Sequence, residues 1–454
     1  MKKRLDPRCL LVATAMLAGC TSYRPDPLTP SVELRTLRER TPQSVETGTA
    51  PADAGGAVYQ PADGLDEAEL VIAALSFNPK LRNRRYEMSH IGNTDLFGMV
   101  RFKPELKVDF DRATVGIAAD SDVLYTLLVP SLRQAWRDDD AARREQSRAE
   151  MLAAEAQVVA DVRRAHVTVL ASERRVDLAR QRSDHRRLLL ERCEADSRVS
   201  PIERSTAVVA LQRAASDLRR DEGEVEATRQ ELNHLLGFTP EQVLELNERG
   251  RPLVGVHTAP LAESELDRQL LVGRWELRAL EAAYRRSEYN VSQAVMGQYP
   301  KVRLAPAVTY DREDGTSLKF GASLRIPWPE RASEKTEDAL KERDRARAVY
   351  LARLHELRAQ AHAAHARLAR SRADLDALER GRNDLGAALA ESEARYRGGE
   401  LSLHDYLPLV ENCEAQERAW IAAALAYRLA RIELDHATGR LNRIKEPLPT
   451  PPEP

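Results

Sequence analysis

Two hydroxyl–carboxylate pairs sit in two similar stretches of this chain. Ser200 precedes Glu203 in RCEADSRVSPIE, and Ser402 precedes Asp405 in RYRGGELSLHDYL, 202 residues further on. A hydroxyl three residues ahead of a carboxylate at the start of an apolar-periodic run is a capping box: the hydroxyl accepts from a backbone N–H of the first turn, and the carboxylate reaches back to the N-cap N–H. A second candidate for chemistry is His355, His362 and His365, spaced by 7 and 3, so that two of them meet on one helix face. A metal needs further ligands at matching height, and a solvated or lumen-facing stripe is the favoured reading. Asp138, Asp139 and Asp140 read as a solvated charge run at a helix start. There is no glycine-rich phosphate loop, no His-Glu-x-x-His and no nucleophile motif, so neither catalysis nor a cofactor is expected.

Stepping outward from the two pairs, each lies where a very long helix turns back. Helices are expected over roughly Ser131 to Ser197 and Pro329 to Gly398, each on the order of 100 Å at 1.5 Å per residue. Val158, Val162, Ala165, Val169, Ser172, Val176, Ala179 and Ser183 form one heptad seam, and Leu354, Leu357, Ala361, Ala364, Leu368, Ser371, Leu375 and Leu378 the other. The Ala and Ser in these seams call for closely spaced helices. Return helices are expected over Pro201 to Leu236 and Leu403 to Thr438, stopped by Gly237 and Gly439. A return helix of this length covers only half its partner, so the helices that open each half, Asp66 to about Ile91 and Glu263 to Val295, are expected to cover the rest.

Between opening helix and long helix lie strands. Leu106, Val108 and Phe110 alternate with Lys107, Asp109 and Asp111; Val302, Leu304, Val308 and Tyr310 alternate with charged or polar neighbours; Leu318, Phe320, Ala322, Leu324 and Ile326 return through Asp314-Gly315. Asp122 to Val129 alternates poorly. Four hairpin strands cannot close a sheet alone and no large apolar helix face is left to cover them, which favours an apolar face toward lipid and a polar one toward a watery lumen. Strands of about 9 to 11 residues have the membrane-spanning size, and Tyr299 and Trp328 would suit an aromatic girdle.

The order of elements runs twice, so the chain divides into residues 64–250 and 251–442. Residues 20–63, rich in Pro, Thr, Gly and Ala, form an extended arm and 443–454 a Pro-rich tail. Aromatic residues make up 5% and charged residues 31%, a composition for long exposed helices rather than compact cores. Residues 1–19 combine Lys2, Lys3, Arg4 and Arg8 with an apolar run from Cys9 to Leu17, and Leu17-Ala18-Gly19-Cys20 reads as a lipoprotein cleavage site. Similarity to bacterial lipoproteins implies acylation of Cys20, with Thr21 after it favouring outer-membrane delivery. Residues 1–19 hold four positive charges and one negative, so their loss takes the net charge from -2 to -5, and no basic excess remains for nucleic acid. Cys193 and Cys413 then remain as thiols in an oxidising compartment; they either pair or stay free, and spacing does not decide between the two.

Helix, hairpin, very long helix, tip turn and shorter helix, twice over residues 64 to 442, resembles the TolC-like outer-membrane efflux protein family. The likeness is strongest at the second tip, where Arg395, Tyr396, Gly399, Ser402, Asp405 and Leu407 are similar to the family's Arg-Tyr-x-x-Gly-[apolar]-x-Ser-x-x-Asp-x-Leu pattern. The Asn78-Pro79-Lys80-Leu81-Arg82 segment and the Leu235-Leu236-Gly237 helix end are also family-like. The resemblance implies a mainly α fold with a small β part. Duplicated antiparallel coiled-coil hairpins would form a periplasmic tunnel, with four strands per chain building a twelve-stranded outer-membrane barrel in a homotrimer.

It implies a passive exit duct for efflux or type I secretion in a Gram-negative bacterium, working with an inner-membrane pump and a periplasmic adaptor. The adaptor would meet Arg395, Tyr396, Gly398, Gly399, Glu400, Leu401 and Ser402, together with Arg198, Val199 and Ser200. Asp405, and with it Glu203, would form a carboxylate ring at the periplasmic aperture, a device favouring cations; helix capping accounts for the same residues. This chain departs from the family at Glu400, in a usually apolar place, at Pro408, where some members carry a second acid, and at Asp196-Ser197, where the second tip has Gly398-Gly399. The competing reading is a lipid-anchored periplasmic coiled-coil scaffold that does not conduct.

Overall fold

The computed structural model describes residues 28–44, 64–89, 104–109, 114–119, 130–195, 199–247, 262–299, 301–311, 315–325 and 328–442. Cys20, Arg198, Phe110 and the Asp122–Val129 stretch lie outside these residues. The described residues 28–41 belong to one unit, in which α1 (Pro30–Arg38) is a nine-residue helix with Pro30 at its start. The described residues from Pro42 onward belong to the second unit.

In that unit α2 (Glu67–Phe77) and α3 (Pro79–Ser89) precede strands β1 (Pro104–Asp109) and β2 (Thr114–Ala119). A 66-residue helix α4 (Pro130–Ala195) and a 36-residue return helix α5 (Pro201–Leu236) follow. The same order recurs: α6 (Glu263–Gly273), α7 (Trp275–Met296), β3 (Lys301–Asp311), β4 (Gly315–Arg325), a 69-residue α8 (Pro329–Arg397) and a 35-residue α9 (Leu403–Ala437).

The opening helices expected as continuous are each broken. Asn78 ends α2 in an extended conformation ahead of Pro79, and its side-chain oxygen accepts from Lys80 N at 3.0 Å and Leu81 N at 3.4 Å, so it caps α3. Proline cannot continue the hydrogen-bonded ladder, but it suits the first helical position. Arg274, likewise extended, breaks the second opening helix between α6 and α7. The two breaks dock in the same way on the ends of the return helices. Asn78 Nδ2 donates to Leu235 O at 2.8 Å, and Arg274 Nη1 to His436 O at 2.7 Å. Buried Asn and Arg thus satisfy carbonyls that the ends of α5 and α9 leave without helical partners. Gly237 and Gly439, with φ of 78° and 70°, complete the junctions: a Cβ on either would strike the backbone of Phe77 or Gly273.

Around these junctions lie two apolar clusters. One joins Leu70, Ile72, Leu75 and Leu81 to Val158, Val162, Leu232 and Leu236; the other joins Leu266, Leu270 and Leu277 to Leu357, Ala361, Ala364 and Leu434. Each fully buried Leu or Ile contributes roughly 1.5–3 kcal/mol of transfer free energy. Both heptad seams bury as the pattern requires, with Ala165, Leu354, Leu368, Ser371 and Leu378 only half-buried.

The cover of the long helices differs from expectation. α7 packs on both α4 and α8 instead of serving its own half alone. Its guanidiniums reach across, Arg285 to Glu145 at 2.8 Å and Arg286 to Asp139 at 3.4 Å, while Arg353 of α8 reaches Glu276 at 3.5 Å. Asp139 is therefore a half-buried partner of α7, not part of a solvated run; Asp140 pairs with Arg144 and Asp138 accepts from Gln134.

The four strands form a single antiparallel sheet in the order β1-β2-β3-β4, so the hairpins of the two halves join through β2 and β3. Register aligns Leu106, Ile117, Val308 and Leu318 in one cross-strand row and Val108, Val115, Tyr310 and Thr316 in another on the same face. The alternate face carries the row Lys107, Gly116, Thr309 and Ser317. β3 and β4 have the expected length at 11 residues each; β1 and β2 have six, shorter than expected. Within this sheet β1 and β4 are the edges.

Candidate functional site: the paired hairpin tips

At the first tip, α4 ends at Ala195 and α5 starts from the N-cap Ser200. Both halves of a capping box are present: Glu203 N donates to Ser200 Oγ at 3.2 Å and Ser200 N to Glu203 Oε2 at 3.0 Å. At the second tip α8 stops on Gly399, φ 77°, with Gly399 N donating to Tyr396 O at 3.1 Å and Glu400 N to Arg395 O at 2.9 Å. This crossed pair of bonds is a Schellman stop, for which a left-handed glycine is the favoured residue. Ser402 then caps α9, accepting from Asp405 N at 3.2 Å, while its hydroxyl donates to Asp405 Oδ2 at 2.7 Å. The carboxylate of Asp405 therefore stays at an exposed position, whereas that of Glu203 is half-buried and bound to backbone.

Beneath both tips lies one shared apolar cluster of Leu189, Cys193, Ala207, Ala210, Leu403, Tyr406, Leu407 and Val410, with Val199, Tyr396 and Leu401 packed on it. Tyr406 is 1% exposed. Its ring stacks on Tyr396 at 4.6 Å between centroids and 5° between planes, and His185 meets it edge-on at 6.2 Å. Three rings thus join α8, α9 and α4. Burial, with the Arg186 charge adding to it, holds His185 below its ordinary pKa, and burial raises both tyrosines. Arg395 pairs loosely with Glu400 at 3.7 Å on the exposed rim. Cys193 and Cys413 are not joined in a disulfide; Cys413 Sγ lies 3.6 Å from Leu385 O and burial raises its pKa.

Above the rings the two hairpins are tied by charge. Glu414 Oε2 of α9 accepts from Arg182 Nε at 2.7 Å and Arg186 Nη2 at 3.1 Å, both on α4. Arg182 and Arg418 share Asp217 Oδ2 of α5 at 3.1 and 3.4 Å, and Arg418 lies 3.7 Å from Asp221. The Arg186 side chain is 3% exposed and that of Glu414 12%. Burial lowers the Arg186 pKa while Glu414 opposes it, so the carboxylate holds a charge that the interior would otherwise disfavour.

The structure thus brings Tyr396, Leu401, Val199, Ser200 and Ser402 to one end, with Gly398, Gly399, Arg395 and Glu400 on its exposed rim. Sequence reasoning missed Tyr406, His185 and the Arg182–Glu414–Asp217 cluster. A usable signal existed: Arg182 with Arg186, Glu414 with Arg418, and Asp217 with Asp221 are all i, i+4 pairs, charged stripes on single helix faces. The three histidines do not converge. His355 is exposed, while His362 faces Glu263 and Asp267 of α6 at 3.4 and 3.6 Å. Among the described residues no group of His, Cys, Asp and Glu is placed to hold a metal, and no helix is long and apolar enough to cross a membrane.

Two long helical hairpins, repeated in order and joined to one antiparallel sheet, define a fold of outer-membrane channels. The Neisseria gonorrhoeae MtrE outer membrane channel in its open state is 18% identical, with a TM-score of 0.69 over 82% of this chain and 88% of that one. CusC, described through the conformational changes of its folding and transmembrane channel formation, is 16% identical, with a TM-score of 0.67 over 87% and 99%. The Vibrio cholerae outer membrane protein VceC is 17% identical, with a TM-score of 0.64 over 82% and 96%. No family profile matches the sequence, and no curated protein matches it. The likeness is one of fold, and this chain shares it across most of its length.

Proposed function

We propose that the chain is a divergent member of the outer-membrane efflux protein family and acts as the passive outer-membrane duct of a tripartite efflux or type I secretion system. The observation that carries this reading is the single four-stranded sheet with alternating apolar and polar rows and two edges, β1 and β4. Edge strands demand partners, and three copies pairing edge to edge would give a closed twelve-stranded barrel, the one sheet form that a bilayer tolerates. Trp328, 76% exposed, and Tyr299, 64% exposed, stand at strand ends, where an aromatic girdle would lie.

In this reading residues 1–19 are a signal peptide and 20–63 an arm acylated at Cys20. Residues 64–250 and 251–442 are the two repeats, and 443–454 a tail. The hairpins continue the barrel into the periplasm, their tips receive the adaptor that joins the inner-membrane pump, and Asp405, with Glu203 behind it, borders the aperture. In this division of labour the pump supplies the energy and this chain the path.

The test is purification from outer membranes followed by planar-bilayer conductance and sizing. A trimer with stepwise conductance is expected; a monomer released by lipase or mild salt and carrying no current is the scaffold instead. Cys20→Ser should mislocalise the protein, and normal outer-membrane targeting of that variant would refute the acylated arm.

A further inference from the structure

Near the junction end of the first hairpin, α4 and α5 leave between them an open groove of about 280 Å³. Two contacts fix its register: Ser172 Oγ of α4 lies 3.1 Å from Thr228 Oγ1 of α5, and Arg229 Nε donates to Glu173 Oε1 at 3.1 Å. Because the two helices run antiparallel, Glu231 then stands level with Val169, and Leu235 level with Ala165. Asp161 lies about 12 Å from the Glu231 level along α4, at about 1.5 Å per residue. The groove thus has a carboxylate toward each end and an apolar floor, Ala165 and Leu235, between them.

The polar atoms that this groove offers are acceptors. Thr168 Oγ1 donates to Arg164 O at 2.8 Å and Thr228 Oγ1 to Val225 O at 3.0 Å, so each hydroxyl gives its hydrogen to its own helix and keeps only lone pairs for the groove. Asp161 Oδ1 accepts from Arg164 Nη1 at 2.6 Å and Gln157 Nε2 at 2.9 Å, while its Oδ2 takes no bond among the described residues. Glu231 is exposed and has no hydrogen-bond or ion-pair partner among them. Of the lining side chains only Arg164 is left as a donor, and Asp161 holds it. The lining is therefore a row of acceptors, two carboxylates against one guanidinium, over methyl groups. Its complement is an ammonium group, with three donors and no acceptor, carried on a methylene chain.

We propose that this groove binds a linear polyamine, with its terminal ammonium groups at Asp161 and Glu231 and its methylenes over Ala165 and Leu235. The spacing of the carboxylates selects the length of the ligand. An extended chain covers about 3.6 Å in three bonds, so the end nitrogens of spermidine stand about 11 Å apart and those of 1,4-diaminobutane about 6 Å. Only the longer amine reaches both carboxylates, with Thr168 and Thr228 accepting beside Glu231. The site stands on α4 and α5 alone and does not depend on the duct reading.

Equilibrium dialysis of the full-length protein in non-ionic detergent against radiolabelled spermidine tests it. Saturable binding that weakens as salt rises is expected, with 1,4-diaminobutane at least about tenfold weaker, since it forgoes one charge-assisted contact. Glu231→Gln and Asp161→Asn should each weaken spermidine by about tenfold or more and bring the two amines within about twofold of each other, because one carboxylate cannot measure length. That ratio is read within one variant, so a smaller folded fraction does not mimic it. The control Glu226→Gln, on an exposed carboxylate of α5 outside the groove, should leave both affinities and their ratio unchanged. No saturable binding, equal affinities for the two amines in the wild type, or the same loss in Glu226→Gln would each overturn the polyamine site. A chain that binds spermidine in this way but carries no current in bilayers would count against the duct reading alone.

Discussion

The first hairpin is held shut at every level, and the second is held mainly by the first. Ser200 and Glu203 satisfy one another's backbone donors reciprocally, α4 buries a seam down to Cys193, and the prolines of the hairpin's two helices, Pro130 and Pro201, each sit at a first helical position. The second tip has half a capping box, a glycine stop and, in α8 beyond Leu375, a stretch with no buried residue. What fixes it is borrowed: the stacked tyrosines rest on His185, and Glu414 takes Arg182 and Arg186 from the first hairpin. A duplicated sequence has thus given one rigid copy and one that leans on it.

The largest break in that dependence is Glu414→Ala. It leaves Arg186, nearly sealed from solvent, without its carboxylate, and stranding one partner of a buried pair costs about 3–5 kcal/mol. Arg182 keeps Asp217, so the first hairpin should survive. The expected result is a large loss of exchange protection across residues 403–420 with little change across 150–170; uniform loss in both would show that the hairpins are not mechanically distinct.

That asymmetry was only partly legible in the sequence. Heptad positions such as Val162, Val169, Leu357 and Ala364 follow from periodicity because a helix must bury the face it repeats, and so did both caps and both stop glycines. The broken opening helices were marked by Asn78-Pro79, a strong stop, and the repeat sets Arg274-Trp275-Glu276-Leu277-Arg278 against Asn78–Arg82 at a spacing of 196, but that alignment does not say what the Arg274 side chain bonds. Its guanidinium reaches a carbonyl 162 residues away, a purely tertiary contact. Glu414 was hidden for the same reason. In a chain with 31% charged residues, a buried carboxylate looks like a solvated one until the helices that surround it are placed.

The junctions offer a second contrast, by pH. Burial, with Arg274 and Arg164 nearby, lowers His436 from 6.5 to about 4. Acidification between these values protonates the unfolded histidine but not the folded one, so stability is intact above about pH 6.5 and falls toward pH 4, by up to about 3 kcal/mol. Asp435, raised by burial, opposes this at the acid end, because the folded state welcomes its proton. His436→Gln should flatten the slope of denaturant stability against pH. The matching residue of the first half, His234, is exposed rather than enclosed at its junction.

The glycine stops sharpen the comparison further. Gly237→Ala and Gly439→Ala must each fold with a left-handed alanine, about 1–2 kcal/mol, and also displace the backbone of Phe77 or Gly273. Gly399→Ala carries only the conformational part, since nothing lies within 4 Å of its Cβ. Midpoints in denaturant should therefore fall further for the two junction variants than for the tip variant; equal shifts would mean that the junctions relax freely.

The smallest expected effect separates the two meanings of Asp405. Ser200→Ala removes a cap that belongs to a reciprocal box, and Ser402→Ala one that does not; caps of this kind contribute about 0.5–2 kcal/mol, with Ser200 toward the upper end. Asp405→Asn is subtler. The N–H of residue 405 still donates to Ser402 Oγ, and the amide oxygen still accepts from that hydroxyl, so stability should change by no more than about 0.5 kcal/mol. The charge, however, is gone. If three copies of this exposed carboxylate border a conducting mouth, Asp405→Asn should relieve block by multivalent cations and weaken cation preference in bilayers, while Glu203→Gln, whose carboxylate is already bound to Ser200 N, should do much less. Unchanged block in Asp405→Asn would leave the residue a helix cap and nothing more, and the difference between the two tips would then be one of stiffness alone.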